Sequence, residues 1–88
     1  MDHRNQIKVL YIDDDDSLLD MTRFIIEGID PDIQLNTSNN INEAIDNYRN
    51  YDIILTDYEM SRMDGVELAS RIRVHSDLPI IIYSNHGC

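Results

Sequence analysis

The chain has 88 residues, 42% of them hydrophobic, which suits one small domain with a thin core. Its formal net charge of −10, from 17 acidic against 7 basic residues, disfavours nucleic acid and anionic membranes and favours a divalent cation or a basic protein surface. The one cysteine, Cys88, excludes an internal disulfide and a cysteine metal cluster; with no signal-like segment and no apolar run near ~18 residues, a soluble, cytoplasmic chain is expected.

Residues 1–5 are expected to be a disordered N-terminus to a single domain spanning 1–88. Ile7–Ile12 (IKVLYI) reads as a first strand that stops at four carboxylates, Asp13, Asp14, Asp15 and Asp16. Residues 17–28 (SLLDMTRFIIEG) place Leu18, Met21, Ile25 and Leu19, Thr22, Ile26 at helical spacing. Asp15 or Asp16 suits the helix N-cap and Gly28 the C-terminal cap. Residues 33–37 (IQLNT) alternate as a half-exposed strand does, and SNN makes a turn. Ile41, Ala44, Ile45 and Tyr48 mark one face of a second helix that ends near Asn50.

Ile53, Ile54 and Leu55 form an unbroken apolar run, the pattern of a strand covered on both faces, and it ends at Thr56-Asp57. After a loop over 58–63, Asp64-Gly65 opens a third helix with Val66, Ala69 and Ile72 on a shared face. Leu78-Pro79 leads into a fourth strand, Ile80–Tyr83. Tyr11 and Tyr83 read as core residues. The order βαβαβαβ predicts a parallel sheet with helices on both faces.

Parallel strands end on one edge, and in open α/β sheets that edge binds ligands. If strands one, three and four are neighbours, Asp13, Asp14, Asp57 and Ser84 converge there. Like charges ~4 Å apart at an effective dielectric of ~20 cost roughly 4 kcal/mol per pair, so either some protonate or a cation sits among them. Hard oxygen donors favour Mg²⁺, which takes one or two carboxylates and leaves room for a phosphate oxygen. An aspartate beside Mg²⁺ can attack phosphorus and form an aspartyl phosphate, with the Ser84 hydroxyl in a position to hydrogen-bond the phosphoryl group.

Three motifs, VLYIDDDDSLL, IILTDYEMSRMDGVEL and LPIIIYS, together resemble the receiver domain of two-component response regulators and hybrid histidine kinases, from about Gln6 onward. The resemblance implies a flavodoxin-like α/β fold, a (βα) three-layer sandwich with strand order 2-1-3-4-5. It implies a phosphorelay signalling domain rather than a turnover enzyme, taking a phosphoryl group from a histidine kinase or phosphotransfer protein onto Asp57. It also implies Mg²⁺ held by Asp13, Asp14, Asp57 and the backbone carbonyl of Glu59, with Ser84 as the switch hydroxyl.

The chain departs from the family at Ser61, where proline is usual, and stops at Cys88 before the family's fourth helix, fifth strand with its lysine, and fifth helix. A truncated domain is therefore expected, with the fourth strand an apolar edge open to homo-oligomer formation. Two other readings fit the residues: a receiver-like interaction module that is not phosphorylated, and a small phosphohydrolase of the haloacid-dehalogenase type using Asp13 with Asp15.

Overall fold

The computed structural model describes residues 6–59 and 64–83. Strands β1 (Ile7–Ile12), β2 (Ile33–Ser38), β3 (Ile53–Asp57) and β4 (Ile80–Tyr83) form one parallel sheet in the order β2-β1-β3-β4. Helix α1 (Asp16–Ile29) follows β1, α2 (Ile41–Asn47) follows β2, and α3 (Gly65–Arg73) precedes β4. The expectations for residues 1–5, Ser61, Ser84 and Cys88 fall on residues outside those described.

Side chains alternate across each strand and so build two cores. On one face Leu10, Ile12 and Ile54 pack with Ile41, Ala44 and Tyr48 from α2 and the 3-10 turn after it, and with Leu68 and Ile72 of α3. On the other, Val9, Tyr11 and Leu35 pack with Leu19 of α1, joined by partly buried Ile26, Leu55 and Tyr83. The sheet is thus sandwiched between α1 and the α2–α3 pair, the three-layer, flavodoxin-like α/β fold expected from the sequence.

Each helix starts on a side-chain cap that satisfies an otherwise unpaired backbone donor. Asp15 accepts from the Leu18 N–H, Asn40 from Asn42 and Asp64 from Glu67. At the other end of α1 the expectation fails: the helix runs through Gly28 to Ile29, Asp30 is the C-cap, and Gly28 has no left-handed φ that would need a glycine. Of the two stripes read on α1, the one with Leu19, Thr22 and Ile26 faces the sheet, whereas Met21 and Ile25 are exposed.

The α3 stripe also differs. Gly65, Leu68 and Ile72 are buried, and Val66 is 50% exposed. Ile72 packs as expected, while Leu68 takes the place expected of Val66, and Gly65 carries no hydropathy signal that would mark its burial. Its burial has a steric reason: a Cβ on Gly65 would lie 2.7 Å from the Asp57 carbonyl oxygen and 3.1 Å from methyl carbons of Thr56 and Ile82.

Among the described residues β4 is an outer strand, and its Ile81 is 54% exposed. No helix among them is long and apolar enough to cross a membrane. The close seating of α3 on β3 yields a direct test. Gly65→Ala should destabilise the chain by about 1–3 kcal/mol through overpacking, read as a lower urea midpoint at unchanged m-value.

Candidate functional site

The β1–β3 ladder sets Ile12 against Thr56, so the following residues, Asp13 and Asp57, come level at the carboxyl edge of the sheet. The β3–β4 ladder pairs Asp57 with Tyr83. A single row, Asp13–Asp57–Tyr83, therefore crosses three strands. Asp13 is 2% exposed and Asp57 8%. Asp14 points outward and is exposed, and Glu59 is exposed at the start of the loop after β3. Of the residues expected to converge, Asp13 and Asp57 form the buried pair, Asp14 lies at the rim, and Ser84 falls outside the described residues.

Local backbone bonds hold this arrangement. The Asp13 N–H donates to the Ser38 carbonyl at 3.1 Å, tying the end of β1 to β2. The Asp13 Oδ1 accepts from the Asp15 N–H at 2.9 Å, a side-chain turn that delivers Asp15 to its capping position on α1. Behind Asp57, the Tyr58 N–H donates to the Tyr83 carbonyl at 2.7 Å, and the Gly65 N–H closes the loop onto the Tyr58 carbonyl at 2.8 Å. The Glu59 N–H donates to Asp57 Oδ1 at 3.3 Å.

Burial pushes the Asp57 carboxyl above the ordinary aspartate range. The backbone N–H groups of Glu59 and Tyr58 oppose the rise, and the charges of Asp13 and Asp14 add to it. Asp57 is thus a basic, partly desolvated carboxylate beside a second one.

The tyrosines are more than the core residues expected. Tyr11 is buried, as read, but its hydroxyl lies 2.6 Å from that of Tyr83, and Tyr83 donates to Asp13 Oδ2. The rings tilt against one another at 53° with centroids 5.9 Å apart. Burial raises both phenols above the usual tyrosine range. A signal for Tyr11 was present in the sequence: it stands two residues before Asp13, and strand residues two apart share a face.

The donors at this edge fit Mg²⁺ by chemistry. They are the carboxylates of Asp13 and Asp57, with that of Asp14 at the rim, all hard oxygens. Among the described residues no three metal-ligating side chains form a ready cage.

Comparison with known proteins bears on the whole arrangement. The family model described as the response regulator receiver domain matches residues 9–88. The chain is 33% identical over 89 residues to the transcriptional regulatory protein ResD of Bacillus subtilis, covering 99% of this chain and 36% of ResD. It is 33% identical over 86 residues to the cyclic di-GMP phosphodiesterase response regulator RpfG of Xanthomonas campestris pv. campestris, covering 92% of this chain and 23% of RpfG. The chain thus spans from just under a quarter to just over a third of the length of these relatives.

In fold it resembles the chemotaxis response regulator CheY4 of Vibrio cholerae, with a TM-score of 0.79 at 25% identity over 94% of this chain and 72% of that one. A chain in the crystal structure of the histidine kinase ThkA in complex with the response regulator TrrA gives a TM-score of 0.82 at 24% identity, with the same coverage of 94% and 72%. The acidic strand ends, the β2-β1-β3-β4 sheet and these matches lead to one assignment: the chain belongs to the response regulator receiver domain family.

Proposed function

We propose that this domain accepts a phosphoryl group on Asp57 from the phosphohistidine of a histidine kinase or phosphotransfer protein. The observation that carries the reading is the buried Asp57 at the carboxyl end of β3, level with the buried Asp13 of β1. An Asp57 carboxylate oxygen attacks phosphorus, the bond from phosphorus to the imidazole nitrogen breaks, and the product is an acyl phosphate. Burial supports the attack by making Asp57 more basic, and the Glu59 N–H orients it through Oδ1. Asp13, Asp14, Asp57 and the Glu59 carbonyl would hold Mg²⁺, which neutralises charge on the phosphoryl group when bound. Ser84, next in sequence after β4, is the hydroxyl assigned to hydrogen-bond that group.

Asp13 is the weaker nucleophile candidate. Its Oδ1 accepts from the Asp15 N–H and its Oδ2 from the Tyr83 hydroxyl, so both oxygens are engaged. That disfavours the hydrolase reading, which needs Asp13 to attack. The kinase as partner draws support from the resemblance to the complex of ThkA with TrrA, and from an acidic surface that suits a basic or neutral protein better than DNA.

Intact mass after incubation with Mg²⁺ and acetyl phosphate tests the assignment. One phosphoryl adduct is expected on the parent and none on Asp57→Asn. An adduct that persists on Asp57→Asn moves the acceptor elsewhere, and no adduct on either favours the non-phosphorylated interaction module.

The raised Asp57 pKa gives a second test without a phosphodonor. Between the ordinary value and the raised one, the folded chain binds more protons than the unfolded chain, so stability falls as pH rises through that window. Without Mg²⁺, Asp57→Asn should therefore melt higher than the parent at neutral pH. The margin should shrink as pH drops below the window, which thermal melts across pH will read.

A further inference from the structure

We propose that Tyr83, backed by Tyr11, is a positioning residue for Asp13: its phenol reaches from β4 past the end of β3 and holds the Asp13 carboxylate in one orientation for the cation. The inference rests on the proposed Mg²⁺ and phosphoacceptor role of the site and adds a residue that role does not require. Asp13 belongs to β1's end and Tyr83 to β4, with β3 lying between these strands. The hydrogen bond from the Tyr83 hydroxyl to Asp13 Oδ2 therefore links strands that are not neighbours in the sheet.

Proton counting orders the group. Each phenol carries one proton and stays protonated near neutral pH. Tyr83 gives its proton to Asp13 Oδ2, so the 2.6 Å contact is filled by Tyr11 donating to the Tyr83 oxygen. The direct path from Tyr11 to Asp13 Oδ2, at 3.5 Å, lies at the outer limit of a hydrogen bond. The result is a relay, Tyr11 to Tyr83 to Asp13.

Asp13 depends on this relay because it is 2% exposed and has little water to hold it. Among the described residues its donors are the Asp15 N–H and the phenols, and none of these is a charged side chain. Each carboxylate oxygen has two acceptor positions, so a bond from Tyr83 leaves capacity for a cation. Donors behind a metal ligand fix its orientation, and losing one typically lowers metal affinity by about 10–100-fold. A phenylalanine at 83 would keep the ring in the core with Val9, Tyr11 and Leu35 and remove only the hydroxyl.

The test is calorimetric Mg²⁺ titration of the 88-residue chain, paired with near-ultraviolet tyrosine difference spectra. The parent should bind Mg²⁺ with a tyrosine difference signal. Tyr83→Phe should bind about tenfold more weakly and lose most of that signal, and Tyr11→Phe should show a smaller loss of both. Tyr51→Phe serves as the control, because its hydroxyl accepts from Asn36 and touches neither aspartate, and it should match the parent.

An unchanged Kd in Tyr83→Phe overturns the positioning role while leaving the site intact. A parent that binds no Mg²⁺ overturns the site and the inference together, so the two failures are distinct. Should Tyr83→Phe not fold, Tyr11→Phe decides: the parent's Kd and spectrum in that variant overturn the relay.

Discussion

Two carboxylates of like charge, buried side by side at the ends of neighbouring parallel strands, are the constraint around which this domain is arranged. The Ile12–Thr56 register brings Asp13 and Asp57 level, and neither is open to more than a trace of solvent. For Asp57, desolvation and the neighbouring charge of Asp13 both oppose ionisation. The neighbouring groups are donors that answer this: the Asp15 N–H and Tyr83 hydroxyl on Asp13, the Glu59 N–H on Asp57. All of them are neutral, so they share the charge without cancelling it. On the proposed reading a divalent cation would offset what they leave, at the edge where the phosphoryl group is proposed to arrive.

The rest of the fold keeps that edge in register. Leu10, Ile12 and Ile54 are almost fully buried under α2 and α3, so a slip of β1 against β3 would carry apolar side chains out of both cores. Gly65 lets the start of α3 sit against the Asp57 carbonyl, which returns the loop after β3 to the same edge. Stability and function are therefore opposed at one place. The packing that fixes Asp57 also desolvates it and raises its carboxyl above the ordinary range, a common feature of functional sites.

Much of this was legible in the chain itself. The unbroken Ile53–Ile54–Leu55 run, stopped by Thr56-Asp57, located the central strand and its terminal carboxylate. The Asp13–Asp16 run marked the end of β1 and the cap of α1. Three features were not legible. On α3, Ile72 is buried as the pattern predicts, but Gly65, which packs most closely, has no side chain to enter a periodicity, and Leu68 packs where Val66 was expected. Gly28 does not cap α1, and composition alone does not reveal φ. The Tyr83–Asp13 bond joins residues 70 positions apart on non-adjacent strands, which strand order and register together are needed to see.

Whether the buried aspartate pair holds a cation, as proposed, can be read from melting temperature against Mg²⁺ concentration for the parent beside Asp13→Asn. Binding to the folded state alone raises stability by about 2.7 kcal/mol at a hundredfold excess over Kd. The expected result is a parent melting temperature that climbs with the logarithm of Mg²⁺ concentration and a variant that stays nearly flat. Parallel curves for the two proteins would contradict the assignment of Asp13 to a cation site.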